Sequence, residues 1–130
     1  LKLMANLGKS TKTKFDLTQL LLERGEMRLS DVWKLGFSKP LVYELIRKGL
    51  VQRFLKIPSW TPIGMYYKRE VVGRKVSLRG RRGVWIRLNP NFVERLRKAG
   101  HRSVYELESF RKHYPEEIVR DRLARVSKYE

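Results

Sequence analysis

Helical periodicity on either side of a β-rich centre predicts an α+β fold. Three observations carry the prediction. Apolar residues recur at three- and four-residue spacing over 13–48 and again beyond 88, whereas 51–88 is dense in β-branched and aromatic side chains. Glycines and prolines stand at the joints between these stretches. A first helix is expected over 13–24, where Phe15, Leu17, Leu20, Leu21 and Leu22 make a wide apolar face and Gly25 a stop. Leu29, Val32, Trp33 and Leu35 mark one side of a short second helix, with Ser30 placed to accept the free N–H groups at its start and Gly36 ending it. Phe37 spans a tight turn, Ser38 caps a third helix over 38–48, and Pro40 falls in its first turn, where a missing N–H costs nothing. Leu41, Val42, Leu45 and Ile46 face inward. At about 100° per residue the opposite face gathers Lys39, Pro40, Tyr43, Glu44 and Arg47. Lys48 and Gly49 close the helix, and a strand begins at once.

That strand is expected over 51–57. Residues 58–64 hold two prolines and a glycine and are expected to turn. A β-rich run over 65–78 and a closing strand over 84–88 then make a long hairpin around the glycine-punctuated turn Arg79-Gly80-Arg81-Arg82-Gly83. Trp60, Ile63, Met65, Tyr66 and Tyr67 are expected in the core or on a self-association surface, with a stacking platform for single strands as the alternative. Beyond Leu88 the texture is helical. Asn89 and Pro90 open a helix bearing Phe92, Val93 and Leu96 that stops near Gly100. Ser103 and Glu106 have capping-box spacing, followed by an apolar stripe of Val104, Leu107, Phe110 and Tyr114. Pro115, Glu116 and Glu117 open a last helix carrying Ile118, Val119, Leu123 and Val126, with its acids and bases placed as the helix dipole prefers. Three parts are therefore expected: a basic arm over 1–12, a globular module over 13–90 and a helical extension over 91–130.

Charge narrows the function. The 130 residues carry 30 Lys and Arg against 13 Asp and Glu, a net charge of +17, which suits a polyanionic partner. The excess sits in one place: residues 1–90 hold 20 basic and 6 acidic side chains, residues 91–130 hold 10 and 7. Between Lys68 and Arg87 there are eight basic residues and a single acid, Glu70. Each phosphate that such a strip neutralises adds favourable counterion release.

Two short helices around a tight turn, a polar outward strip on the second, and a strand immediately after Arg47-Lys48-Gly49-Leu50-Val51 resemble the winged helix-turn-helix DNA-binding superfamily common among bacterial and archaeal regulators. The resemblance covers roughly residues 13 to 90. It implies three helices and a long β-hairpin wing, here with additional C-terminal helices, and a recognition helix that enters a major groove. Carried onto this sequence, the DNA-binding residues are Ser38, Lys39, Tyr43, Glu44, Arg47 and Lys48 on the helix over 38–48, and Arg74, Lys75, Arg79, Arg81 and Arg82 on a basic wing around 74–87. The basic arm, in a stretch with Lys2, Lys9, Lys12 and Lys14 and no acid before Asp16, is expected either to track phosphates or a minor groove or to make no contact. The apolar stripes of the C-terminal helices are expected either to join two copies across a two-fold axis or to fold back on the domain, with the homodimer preferred.

Other chemistries find little support. The absence of cysteine removes disulfides and thiolate metal sites, and His101 and His113 stand among cations with no metal-ligand spacing. No paired carboxylates or phosphate-loop ending suggest catalysis, so no enzyme, metal or cofactor is expected. No run approaches the roughly 18 to 20 apolar residues of a membrane span, and a cytoplasmic, nucleoid-associated protein is expected. Two Gln and three Asn against 30 Lys and Arg are reminiscent of proteins from hot environments. The function expected is sequence-specific binding of double-stranded DNA by a transcriptional regulator. Its rivals are a plasmid or virus replication or partition protein, an antitoxin DNA-binding domain, an RNA-binding module, and a non-specific architectural chromatin protein.

Overall fold

Helix α1 (Lys14–Arg24) starts where its cap is built. The Thr13 hydroxyl accepts from the Asp16 N–H at 3.2 Å, while the Asp16 carboxylate accepts from the Thr13 N–H at 3.1 Å and hydroxyl at 2.7 Å. It ends at Gly25, whose φ of 85° a side chain would strain. The computed structural model describes residues 12–71 and 83–127, and of these the side chains at 57, 68–71 and 127 are not described.

A three-residue strand, β1 (Glu26–Arg28), follows α1 where the sequence predicts only a lead-in to a helix. It is too short to show alternation and exists because distant partners complete it: Glu26, Met27 and Arg28 lie opposite Arg87, Ile86 and Trp85. Helix α2 (Leu29–Lys34) therefore begins straight from the strand, capped by the extended backbone of Arg28. Ser30 sits inside the first turn rather than at the cap position expected for it. Helix α3 (Lys39–Arg47) enters from Ser38 with Pro40 in its first turn, although the Ser38 hydroxyl makes no capping bond.

The sheet departs most from expectation. Strands β2 (Val51–Thr61), β3 (Gly64–Val71) and β4 (Val84–Leu88) join β1 in one antiparallel sheet of order β1-β4-β2-β3. The expected hairpin between 65–78 and 84–88 does not form, because β4 pairs with β1 and β2 while β3 takes the other side of β2. The long hairpin is β2–β3, turning at Pro62 and Ile63, with register running from Phe54 opposite Val71 to Thr61 opposite Gly64. Pro58 does not end β2. The Lys56 N–H is directed to the β4 side, where Gly83 O accepts it at 3.3 Å, so by strand alternation Pro58 faces that side too. The β2–β4 pairing has already ended at Leu55 and Val84, so among the described residues its missing N–H removes no ladder bond.

Alternation along β4 buries Val84, Ile86 and Leu88 and leaves Trp85 and Arg87 half-buried on the opposite face. The inner face meets the helices in a cluster of Leu17, Leu21, Met27, Val32, Phe37, Val42, Leu45 and Val51. Each such side chain contributes about 1.5–3 kcal/mol on leaving water.

Asn89 ties the C-terminal part on. Its amide donates to Gly49 O at 2.9 Å and its oxygen accepts from the Asn91 N–H at 2.9 Å, opening α4 (Pro90–Lys98). A 3₁₀ turn (Val104–Glu106), α5 (Glu108–His113) and α6 (Glu116–Ser127) complete the chain. No described helix is long and apolar enough to cross a membrane. Val104, Tyr105, Phe110, Ile118 and Val119 pack with Phe15 of α1 and Leu96 of α4 into a second cluster, with the Phe15 and Phe110 rings 5.1 Å apart, edge to face. This corrects the basis on which a homodimer was expected. Val104 is 0% and Phe110 1% exposed, so the stripe offered for pairing is already spent inside one chain.

Polar contacts fix the same seam. Asp16 Oδ1 accepts from the Tyr105 hydroxyl at 2.7 Å and from Arg122 Nε at 2.9 Å, with the Arg122 side chain only 5% exposed. Gln19 accepts from the buried Val104 N–H at 3.0 Å. Burial, and then the neighbouring Asp16 charge, push the Tyr105 phenol far above its ordinary range.

Two outcomes are expected. Asp16→Asn takes one of two carboxylates from the buried Arg122, which keeps Asp121 at 2.8 Å, and it also weakens the α1 cap, so it should cost more in chemical unfolding than the roughly 0–1 kcal/mol of an exposed pair such as Arg120–Glu116. A raised folded pKa at Tyr105 means a stabilisation fully present below the unfolded value of about 10 and lost as pH climbs above it. Stability measured from pH 9 upward should therefore fall less steeply in Tyr105→Phe than in the parent chain.

Candidate nucleic-acid interface

Helix α3 is held by its apolar side. Val42 is 0% and Leu45 1% exposed, and this anchorage fixes which residues can face outward. Lys39, Tyr43 and Arg47 are exposed at i, i+4 and i+8, on one face and spread over about 12 Å of helix axis. Ser38 is exposed at the helix start. Glu44 and Lys48 form an ion pair at 2.9 Å. The Lys48 hydrogen bond, and then its charge, hold the Glu44 carboxyl below its usual range, with the charges of Lys14 and Arg47 acting in the same direction. Glu44 is thus engaged within the helix rather than presented alone to a base edge.

Lys12, the last residue of the expected basic arm, lies beside this helix pair. Its Nζ sits 5.4 Å from the centroid of Phe37, in the turn between α2 and α3. The five wing cations, Arg74, Lys75, Arg79, Arg81 and Arg82, lie outside the described residues. The remainder of the expected wing, 84–87, lies in β4, an interior strand of the sheet flanked by β1 and β2.

The outer face of the sheet interleaves cations with aromatic rings. Lys56 Nζ stands 3.6 Å from the Trp85 ring centroid and pairs with Glu26, and the Arg28 guanidinium lies 5.4 Å from the same ring. Arg87 donates to Gln52 Oε1 at 3.1 Å, its guanidinium 5.6 Å from Phe54. Further along this face stand Trp60 and Met65, directly opposite each other, and Tyr67. Of the placements expected for the hairpin aromatics, the core is overturned, leaving the self-association surface and the stacking platform: Trp60 is 77%, Ile63 100% and Tyr67 57% exposed. The deciding feature is one of strand length. It lies in the structure rather than in the sequence, from which the strand is expected to end at 57: β2 has eleven residues and β4 five, so among the described residues β2 and β3 run on past β4.

Cavities among the described residues lie elsewhere. One, about 370 Å³, is lined by Lys12, Asp16, Glu23, Phe37, Tyr105 and Arg125 among others, and takes no residue from the α3 strip. Another, about 180 Å³, lies where Leu45 of α3 and Lys48 just beyond it approach Phe92, Val104 and Leu107. Among the described residues no three His, Asp or Glu converge as metal ligands. No family model, curated protein or solved structure matches the chain.

Proposed function

We propose that this protein binds double-stranded DNA as a winged-helix regulator, with α3 in the major groove and the β2–β3 hairpin in the position of the wing. The observation that carries the proposal is the strip of Lys39, Tyr43 and Arg47 on a helix whose other side is locked into the core. A rigid helix with two cations and a phenol outward can combine phosphate contacts with base-edge contacts, because a major groove about 12 Å wide admits a helix. The helix pair is backed by α1 and followed at once by a strand, which is the order the resemblance implies. The net charge of +17 supplies attraction independent of sequence, so affinity should fall steeply with salt.

Arg47 is the residue to which base reading is assigned, since it is exposed and, unlike Lys48, makes no ion pair on α3 among the described residues. After selection of a preferred site from a random duplex pool, Arg47→Ala should weaken binding to that site by about 1–3 kcal/mol and to random duplex by much less. A uniform loss on both would reduce Arg47 to a phosphate contact and favour a protein that coats DNA without preference. In competition, duplex DNA should outcompete duplex RNA of equal length, whose major groove is too narrow for a helix. RNA binding as tight or tighter would overturn the proposal.

A further inference from the structure

We infer that the tip of the β2–β3 hairpin is an apolar wedge that enters a DNA groove and partly unstacks one base step, an inference that rests on the duplex-binding reading above. Among the described residues, five of the seven large apolar side chains left exposed lie between Trp60 and Tyr67, and Ile63 at the turn is 100% exposed. An isoleucine with no contact at the end of a ribbon does nothing for the fold. Its shape suits insertion. The ribbon is two strands wide with an unbroken register, and the Thr61 hydroxyl donates to Gly64 O at 2.8 Å across the turn. Pro62 restricts the turn further, so the tip is ordered before it meets a partner and insertion costs little conformational entropy.

Charge identifies the occupant. Behind the tip the ladder places Arg69 opposite Lys56 and Lys68 opposite Ile57, so beside the already paired Lys56 the register sets two further cationic positions four to five residues from the turn. At the rise of a strand that is about 13–17 Å. With the tip on the floor of a groove about 7.5–8.5 Å deep, those positions fall just outside the rim, where phosphates lie within reach of long side chains. An apolar protein surface would have no use for such a collar, whereas proteins that wedge Ile, Met or Pro between base steps need it to hold the strained duplex. The proposal also implies a preference for pyrimidine–purine steps, which unstack most easily.

The test uses the full chain, a duplex of about 30 base pairs carrying the selected site with a fluorophore at each end, and the variants Ile63→Ser and Ile63→Met. A side chain this exposed can be exchanged without disturbing the core, which circular dichroism verifies. The parent protein and Ile63→Met should shorten the end-to-end distance on binding, more at a TA than at a GC step. Ile63→Ser should bind without bending, with affinity lowered roughly tenfold, as for loss of one apolar contact to a base. Parent protein that binds without bending, or Ile63→Ser that bends equally, overturns the wedge while leaving duplex binding intact. No duplex binding by the parent chain overturns both. Binding to phosphatidylserine vesicles that Ile63→Ser abolishes, with duplex bending unchanged, would assign the tip to a membrane surface instead.

Discussion

The carboxylate of Asp16 does three things at once. It closes the cap of α1, accepts the Tyr105 hydroxyl and neutralises the buried Arg122 guanidinium. A buried ion pair is weak evidence for net stability, since desolvation opposes the attraction, but it is demanding about geometry. Here one side chain sets the start of α1 and its position against both the 3₁₀ turn and α6. Helix α1 is also the wall between the two clusters: Leu17 and Leu21 pack toward α2, α3 and the sheet, Phe15 toward the C-terminal helices. The outward pose of α3 thus depends on a chain of contacts that passes through Asp16.

Elements written in local chemistry were legible in the sequence. The periodicity of 13–24, the Ser38-Lys39-Pro40 entry, the Asn89-Pro90 opening and the positive-φ stops at Gly25, Gly36, Gly49 and Gly100 all act within a few residues. What was not legible depends on partners far along the chain. β1 is a strand only because β4 lies beside it, nearly 60 residues away. Continuation through Pro58 depends on which side of β2 has run out of partners. The C-terminal stripes announced that Val104, Phe110 and Ile118 would be covered, but an amphipathic pattern does not say by what, and the cover is Phe15 and its neighbours in the same chain. For the candidate site, helical spacing alone gave the α3 strip. The core placement expected for the hairpin aromatics failed because a strand rich in Trp, Tyr and Met ordinarily packs, and only the strand lengths show that among the described residues β4 does not reach them.

The formal charge overstates what is free to meet a polyanion. Lys48 is held by Glu44, Lys56 is divided between Glu26 and the Trp85 ring, and Arg122 is consumed in the interior. Such cations still raise the potential around the molecule, which speeds encounter, but those held by carboxylates release few counterions on binding. The interface as read has two regimes. Contacts by Lys39 and Arg47 are salt-dependent, and those of an apolar tip are nearly indifferent to salt.

Pro58 has a consequence for solubility. A long ribbon with apolar side chains and a row of unsatisfied backbone groups is a template on which other chains can add strands. Beyond Lys56, whose N–H still reaches Gly83 O, β2 has no partner on the β4 side among the described residues. Proline in its midst deletes a donor where a continuous intermolecular ladder would need one, and β-aggregation is interrupted without cost to the native sheet. The residue that looked like a terminator of the strand is better understood as its guard. In a hairpin with exposed apolar side chains it removes one position at which a second chain could add a strand.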